Sequence, residues 1–485
     1  MSSESEFQFE KESDLSVNEI KVMYDDFVNP GLSKLYQFFS FGKEIFVKSE
    51  GMYMYTRDDK KILDFTGGLG VLNHGHNHPR ILKARIKYQE QKRIEVHKVI
   101  FSPYQAMLAK KLASLLPQGL NKSFFPNSGA EANEGALKLA YKYHEGKRDY
   151  VLHADRGFHG RLIASGSLGG MIAGEEEIFQ SIPHVSSFEY NNIESFKSKV
   201  SYLRKNNESN IYAVIVEPFS ASCMYGCSEN FLSKIREICD KEKIVLIFDE
   251  VYSGWSKTGY LFNFMRVKNL TPDILTMSKS FGGGKSSISA YVTKDDIFNK
   301  TYGKLKDSNL HSSTYAGFGE EAATALEAIQ IVMDDNYSER AKKIFKHLNP
   351  KLIEMQKKFP SIIKEVRGQG ALNGILIYPP IKYMDEIIDK LPTKLVKNKY
   401  NAFNQLVIAG IMEELYSEYS ILTIPQDRII KKENGEIERF AYLAIKPSCI
   451  ATEDNINYFL NSLEKVLNVS IINLIRKFLQ KKILR

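Results

Sequence analysis

The chain has 485 residues, 43% hydrophobic and 26% charged, with 26 Tyr and 29 Phe, which excludes extended disorder and supplies material for large buried cores. Its length exceeds the ~250–300 residues at which a single core stops growing, so two structural units are expected. The net charge of +8 is dispersed over many lysines, with no nucleic-acid-binding motif, and no apolar run approaches the ~20 residues of a membrane span.

The first stretch, MSSESEFQFEKESD, is acidic where a secretion signal is basic and then apolar, so a soluble cytoplasmic protein is expected. Four cysteines, Cys223, Cys227, Cys239 and Cys449, are too few for a disulfide framework and read as reduced thiols. In LDFTGGLGVLNHGHNHP, His74, His76 and His78 alternate like metal ligands, but no carboxylate or cysteine follows nearby, and no metal is expected.

Next, NSGAEANEGALKLAYKY reads as a helix with Ala132, Ala136, Leu139, Ala140 and Tyr143 facing inward and an S-x-x-E capping box formed by Ser128 and Glu131. Ser128, Gly129 and Ala130 place a hydroxyl and free amides at a helix N-terminus, where a phosphate is favoured. Apolar runs then alternate with helical stretches, the pattern of a βα-repeating domain with a parallel sheet. NIYAVIVEP, KIVLIFDE and PDILTMSK are the strands, with a helix at ENFLSKIREICDKEK whose Phe231, Leu232, Ile235 and Ile238 recur at helical spacing. Strands of this kind are buried on both faces and present useful side chains at their C-terminal ends.

Two of those ends carry chemistry. Asp249 closes one strand, as a partner for a protonated ring nitrogen would; Lys279 closes another, where desolvation lowers the amine's pKa and makes it a nucleophile toward carbonyls. The glycines after Lys279, in SKSFGGGKSS, do not form a nucleotide loop: the position that a P-loop requires to be glycine is Lys279 itself, and SISAYVTK follows as a strand. Phosphate site, acidic strand end and lysine together suit one cofactor, pyridoxal 5'-phosphate. Beyond about residue 330, SERAKKIFKHLNPKLIEMQKKF is a long amphipathic helix, then GQGALNGILIYPP begins a mixed region. The last stretch, SIINLIRKFLQKKILR, puts Ile471, Leu474, Ile475, Phe478 and Leu479 on one helical face with basic residues around it. That face packs on the protein or a second subunit, or else contacts a membrane.

Over roughly residues 40 to 465 the chain resembles the class III pyridoxal-phosphate-dependent aminotransferases of fold type I, the group that includes ornithine, 4-aminobutyrate and putrescine aminotransferases. The ordered motifs are LDFTGGLGVLNHGHNHP, FFPNSGAEANEGALKLA, GFHGR, IVEP, FDEVYSGWSKTG and DILTMSKSFGGG. The resemblance implies an α/β fold, a large domain built on a mainly parallel sheet flanked by helices and a smaller α+β domain formed by both chain ends. The implied division is an extension (1–40), the first part of the small domain (41–90), the large domain (91–335), the second part of the small domain (336–465) and the tail (466–485).

Carried over by position, Lys279 is the Schiff-base lysine and Asp249 the partner of the pyridine nitrogen. Phe158, beside His159, stacks on the ring, and Ser128, Gly129 and Ala130 bind the phosphate. Glu217 sits near the ring, and Thr314 in HSSTYAGF reaches the phosphate of the neighbouring subunit, which implies a homodimer. Tyr252, after Val251, replaces a glutamine that contacts the ring hydroxyl, so that role is altered. The implied reaction moves an amino group from an amine donor to a carbonyl acceptor. A lyase or aminomutase of the same fold, or a non-catalytic binding protein, are the rival readings.

The pattern departs from the family in one place. The arginine that holds a carboxylate in ω-amino-acid enzymes is replaced by Ala444 in YLAIKPSCIAT, and its glutamate partner by Ser222 in EPFSASCMYG. Losing one member alone would strand a buried charge at a cost of about 3–5 kcal/mol, so their joint replacement reads as a changed pocket. The expected acceptor is an aldehyde or ketone without a carboxylate in the usual place, unless Lys446 supplies a point charge for one. Lys285, after the glycines, is expected at the pocket rim.

Overall fold

The three runs ending in Glu217, Asp249 and Lys279 form the strands Ile211–Val216, Val245–Asp249 and Ile274–Met277, each buried along its length. They lie side by side and parallel, with Ile247 opposite Ile215 and Asp249 opposite Thr276. The structure, a computed structural model, describes residues 14–96, 99–170, 179–206, 208–377, 402–431 and 437–483.

Among these residues the central sheet has seven strands. Their order is Leu120–Phe124, Ala290–Lys294, Ile274–Met277, Val245–Asp249, Ile211–Val216, Tyr150–Ala154 and Val185–Phe188. Ala290–Lys294, the SISAYVTK strand, runs antiparallel to both neighbours, and the other neighbouring pairs are parallel. Alternate side chains of Val245–Asp249 enter two different cores: Leu246 and Phe248 join Val214, Leu275 and Met277, whereas Val245 and Ile247 join Ala213, Ile215 and Ile274. This two-sided burial explains why these strands read as unbroken apolar runs.

Helix Gly129–Tyr143 covers the second of those faces through Ala136, Leu137, Leu139 and Ala140. Helix Glu229–Glu242 covers the first, and buries Phe231, Leu232 and Ile235 as its spacing predicts. The next buried position is Cys239, four residues beyond Ile235, while Ile238 is only partly buried.

A further core draws on both chain ends. Met52, Leu63 and Phe65 pack with the stripe Ala341, Ile344, Leu348, Leu352 and Met355 of helix Tyr337–Lys358, and with Phe459 and Leu463. The pairing is also direct, because strand Ile421–Leu422 adds in parallel to Lys61–Asp64. A second four-stranded sheet runs Ile363–Gln369, Leu372–Ile377, Ile437–Ile445 and Ile424–Lys431. The C-terminal helix Ile471–Ile483 packs on this core, with Leu474 and Phe478 buried and the Phe478 ring tilted against those of Phe38 and Phe39. Gly410 permits the approach, since a Cβ there would lie 3.2 Å from the Leu474 carbonyl, and Lys477 pairs with Glu414 at 2.6 Å. Of the expected face, Leu474 and Phe478 are buried and Ile471 and Ile475 partly so, packed on the protein, whereas Leu479 is exposed; the side chains beyond Leu479 lie outside the described residues. Among the described residues no helix is long and apolar enough to cross a membrane.

Candidate active site

Parallel strands deliver their C-terminal ends to one edge of the sheet, so Glu217, Asp249 and Lys279 arrive together without being close in sequence. Ser128, Gly129, Ala130, Phe158, His159, Glu217, Asp249, Val251, Tyr252 and Lys279 line one cavity of ≈ 410 Å³. Of the cofactor-binding residues expected from the sequence, Thr314 lies elsewhere, exposed beside a second cavity of ≈ 320 Å³ that Ile94, Ile100 and Phe101 also line.

Asp249 is buried and held by three donors. Its Oδ2 accepts from His159 Nδ1 at 2.7 Å and from Asn133 Nδ2 at 2.8 Å, and its Oδ1 accepts from the Val251 amide at 2.9 Å. Asn133 is in turn fixed by its side-chain carbonyl, which accepts from Thr276 Oγ1 at 2.7 Å, and by its second bond to the His159 carbonyl at 2.7 Å. The sequence reading missed Asn133; its signal is a polar residue on the inward face of an otherwise alanine-rich helix. Glu217 is also buried, accepting from the Phe158 amide at 2.9 Å and the Ala221 amide at 3.2 Å. Burial, and then the neighbouring Asp249, push its carboxyl up to about 8, so at neutral pH it is mostly a neutral acid.

Lys279 opens a single 3₁₀ turn, Lys279–Gly282, and adopts φ +52°, a left-handed conformation that costs a non-glycine residue about 1–3 kcal/mol. From this turn Nζ reaches the Leu69 carbonyl at 3.4 Å. Desolvation pushes its ammonium below the usual lysine range, while Asp249 and Glu217 pull the other way. The glycines that follow let the chain turn back: Gly283 has φ +62°, and a Cβ there would lie 2.5 Å from Ile81 Cδ1. Lys285 is exposed and contributes its carbonyl to Arg85, while Ser286 and Ser287 line the cavity.

At the opposite end, the capping box forms as expected, with the Ser128 hydroxyl accepting from the Glu131 amide and Glu131 returning to the Ser128 amide. Glu131 also takes the Asn127 amide, which leaves the first-turn amides of Gly129 and Ala130 for a ligand. A Cβ on Gly129 would lie 2.7 Å from Val251 Cγ1, so the helix terminus meets the cavity wall only because glycine stands there. An anion-favouring helix terminus, a carboxylate held by three donors and a desolvated lysine, all on one cavity, fit a phosphorylated pyridine aldehyde. Tyr252 adds a buried hydroxyl without a partner on the cavity wall.

Both positions of the expected carboxylate switch are buried and uncharged. Ala444 packs with Phe219, Ala221, Met224, Tyr252 and Leu372, and Ser222 is 5% exposed. Arg161, of the GFHGR motif, also lines the cavity and is exposed. The alternating histidines go to separate partners, His74 to the Ala328 carbonyl and His76 to Asp64.

The family model for class-III aminotransferases matches residues 42–398. The acetylornithine aminotransferase of Methanocaldococcus jannaschii is 34% identical over 357 residues, covering 71% of this chain and 83% of that protein. That of Agrobacterium fabrum is 29% identical over 335 residues, covering 68% and 80%. Two solved structures share the fold: a transaminase from a marine Virgibacillus (TM-score 0.77, 22% identity, 94% and 99% covered) and the ornithine aminotransferase of Toxoplasma gondii ME49 (0.75, 21%, 96% and 99%). This chain belongs to the class-III aminotransferases. It is accordingly a pyridoxal 5'-phosphate-dependent enzyme of amino-group transfer, and the lyase, aminomutase and non-catalytic readings are not favoured.

Proposed function

We propose that the ≈ 410 Å³ cavity would hold pyridoxal phosphate through Ser128, Gly129 and Ala130 for its phosphate, Phe158 for its ring and Asp249 for its ring nitrogen, and that Lys279 would bind it covalently. The observation that carries this reading is the meeting of Asp249 and Lys279, from strands in register at Asp249 and Thr276, on the same cavity as the Gly129 helix terminus. When bound, the cofactor supplies an electron sink for the bond broken at the substrate carbon.

The chain does the rest. Asp249, kept in place by His159 and Asn133, holds the proton on the ring nitrogen. With the cofactor bound, the amine of Lys279 would accept a proton at Nζ from the substrate carbon and deliver it to the cofactor carbon. Desolvation lowers that ammonium below the usual lysine range, which favours its release of a proton and its action as the base. Glu217 braces the Phe158 loop through its amide, and Tyr252 offers a hydroxyl to the ring oxygen. The donor is an amine or amino acid and the acceptor an aldehyde or ketone, in a pocket whose carboxylate-binding groups differ from the family pattern at Ala444 and Ser222.

The same reading includes a homodimer with the active sites at the interface. Thr314 stands exposed near Ile100 and Phe101, apolar side chains that are themselves exposed around the second cavity. It also keeps the division at residues 41–90, 91–335 and 336–465, supported by the core that both chain ends build, and a reducing cytoplasmic setting, supported by four buried free thiols. The test is a panel of amines and carbonyl compounds read through the cofactor spectrum. A donor that converts the cofactor to its aminated form, with stoichiometric release of its carbonyl product, is the expected result; loss of the amine as ammonia, with the cofactor unchanged, contradicts transamination.

A further inference from the structure

Three lysine ammonium groups surround the ring of one tyrosine. The Nζ atoms of Lys257, Lys279 and Lys446 lie 5.4, 5.4 and 5.2 Å from the centre of the Tyr252 ring. Lys279 is the lysine assigned to the cofactor. Lys257 and Lys446 have no such task, yet they are 4% and 6% exposed. Among the described residues Lys257 Nζ has no hydrogen-bond partner, and neither lysine has an ion-pair partner. The polar contact of Lys446 Nζ is the neutral Gln426 side-chain carbonyl at 2.9 Å, and Gln426 Nε2 donates onward to the Ala221 carbonyl at 2.6 Å.

A buried ammonium without a counter-ion is unfavourable, and two behind one ring are more so. The groups facing them offer no carboxylate. Lys446 faces Lys279 and Tyr252; Lys257 faces Lys279, Lys446, Tyr252, Cys449 and His74. Burial pushes the Lys446 ammonium down to about 7 and that of Lys257 well below its ordinary value. The arrangement is a cationic site without its anion. It borders the cavity, because Tyr252 and Ala221 form the cavity wall that Lys446 and Gln426 back. It also adjoins Ala444, two residues before Lys446, where the expected arginine is missing.

We propose that Lys446, oriented by Gln426 and reinforced by Lys257, is the specificity-determining site for a carboxylate on the substrate, entering along the Tyr252–Ala221 wall. This deepens the transaminase reading by naming the charge of one substrate and rests on it for the reaction. A point charge here, unlike an arginine paired with a glutamate, has no internal partner to release, and its charge appears when the anion arrives. Anion binding above neutral pH is therefore coupled to proton uptake.

The test uses glutarate, a dicarboxylate with neither amine nor carbonyl group, titrated calorimetrically into the holoenzyme at pH 8 in two buffers of different ionisation enthalpy. Wild-type protein should bind it with uptake of about one proton. Lys446→Met should bind about tenfold more weakly and without uptake. Lys446→Arg should recover the affinity but not the uptake, a split that a merely structural role would not produce. Gln426→Glu, which gives Lys446 an internal carboxylate, should abolish glutarate binding while raising the Tm, and it serves if the methionine variant does not fold. Binding of equal strength by wild type, Lys446→Met and Gln426→Glu, or no binding by wild type, overturns the proposal. Turnover is not needed for the titration, so glutarate binding by an enzyme that transfers no amino group would sink the transaminase reading alone.

Discussion

At Asp249 three donors converge on one carboxylate, and two of them come from residues far apart in the chain. Removing Asn133 strands both Asp249 and the Thr276 hydroxyl. Asn133→Ala should lower unfolding stability by about 1–3 kcal/mol in denaturant titrations and weaken cofactor retention in dialysis, while Asn133→Gln should not restore either. Buried titrating groups give the enzyme an unusual pH profile. Glu217, raised to about 8, and Glu250, raised to about 7, hold protons more tightly folded than unfolded, so their contribution is lost as pH rises from about 4.5 to about 8. Lys446, lowered to about 7, works the other way, and its contribution is regained as pH rises from about 7 toward 10.5. The Tm measured without carboxylate anions should fall from pH 5 to pH 7; Glu217→Gln should flatten that fall, and Lys446→Met the rise above pH 8. A flat profile for the wild type contradicts these assignments.

The elements that carry the site were legible where one short stretch encodes them. The capping box at Ser128 and Glu131, the apolar strands and the lysine-glycine turn are local patterns, and each forms where the spacing places it. Asn133, Lys257 and Gln426 were not legible as chemistry, and Lys446 was legible only as a point charge near the missing arginine. Their partners lie on other elements, and only the pairing of Ile424–Lys431 with Ile437–Ile445 and the loop after Asp249 brings them together. The helix terminus offers a sharp test, since Gly129 is pressed against Val251. Gly129→Ala should cost about 1–3 kcal/mol by overpacking and reduce cofactor affinity, and Val251→Ala should relieve part of both losses in a double-mutant cycle. In the tail, Phe478→Ala should cost about 3–5 kcal/mol if its burial against Phe38 and Phe39 persists in solution. A negligible change in Tm would show that this helix is not part of the folded core.

For the whole molecule, the site stands at the C-terminal ends of the parallel strands, and a second cavity is lined by exposed apolar residues, Ile94, Ile100 and Phe101 among them. Phe101 is fully exposed, and the proposed dimer would cover it. Sedimentation should give a mass of twice 55.4 kDa. Phe101→Glu should shift the protein toward monomer and weaken cofactor binding, because Thr314 would no longer reach the neighbouring site. A monomer that retains full cofactor affinity would remove the interface role of Thr314.

Four lysines near the site, Lys257, Lys279, Lys285 and Lys446, compete in principle for the cofactor, and two besides Lys279 have ammonium groups lowered by burial. Borohydride reduction of the holoenzyme followed by peptide mass mapping separates them. The label should fall on Lys279, and Lys279→Ala should carry none; a reduced adduct on Lys257, Lys285 or Lys446 in the wild-type enzyme would contradict the site as built here.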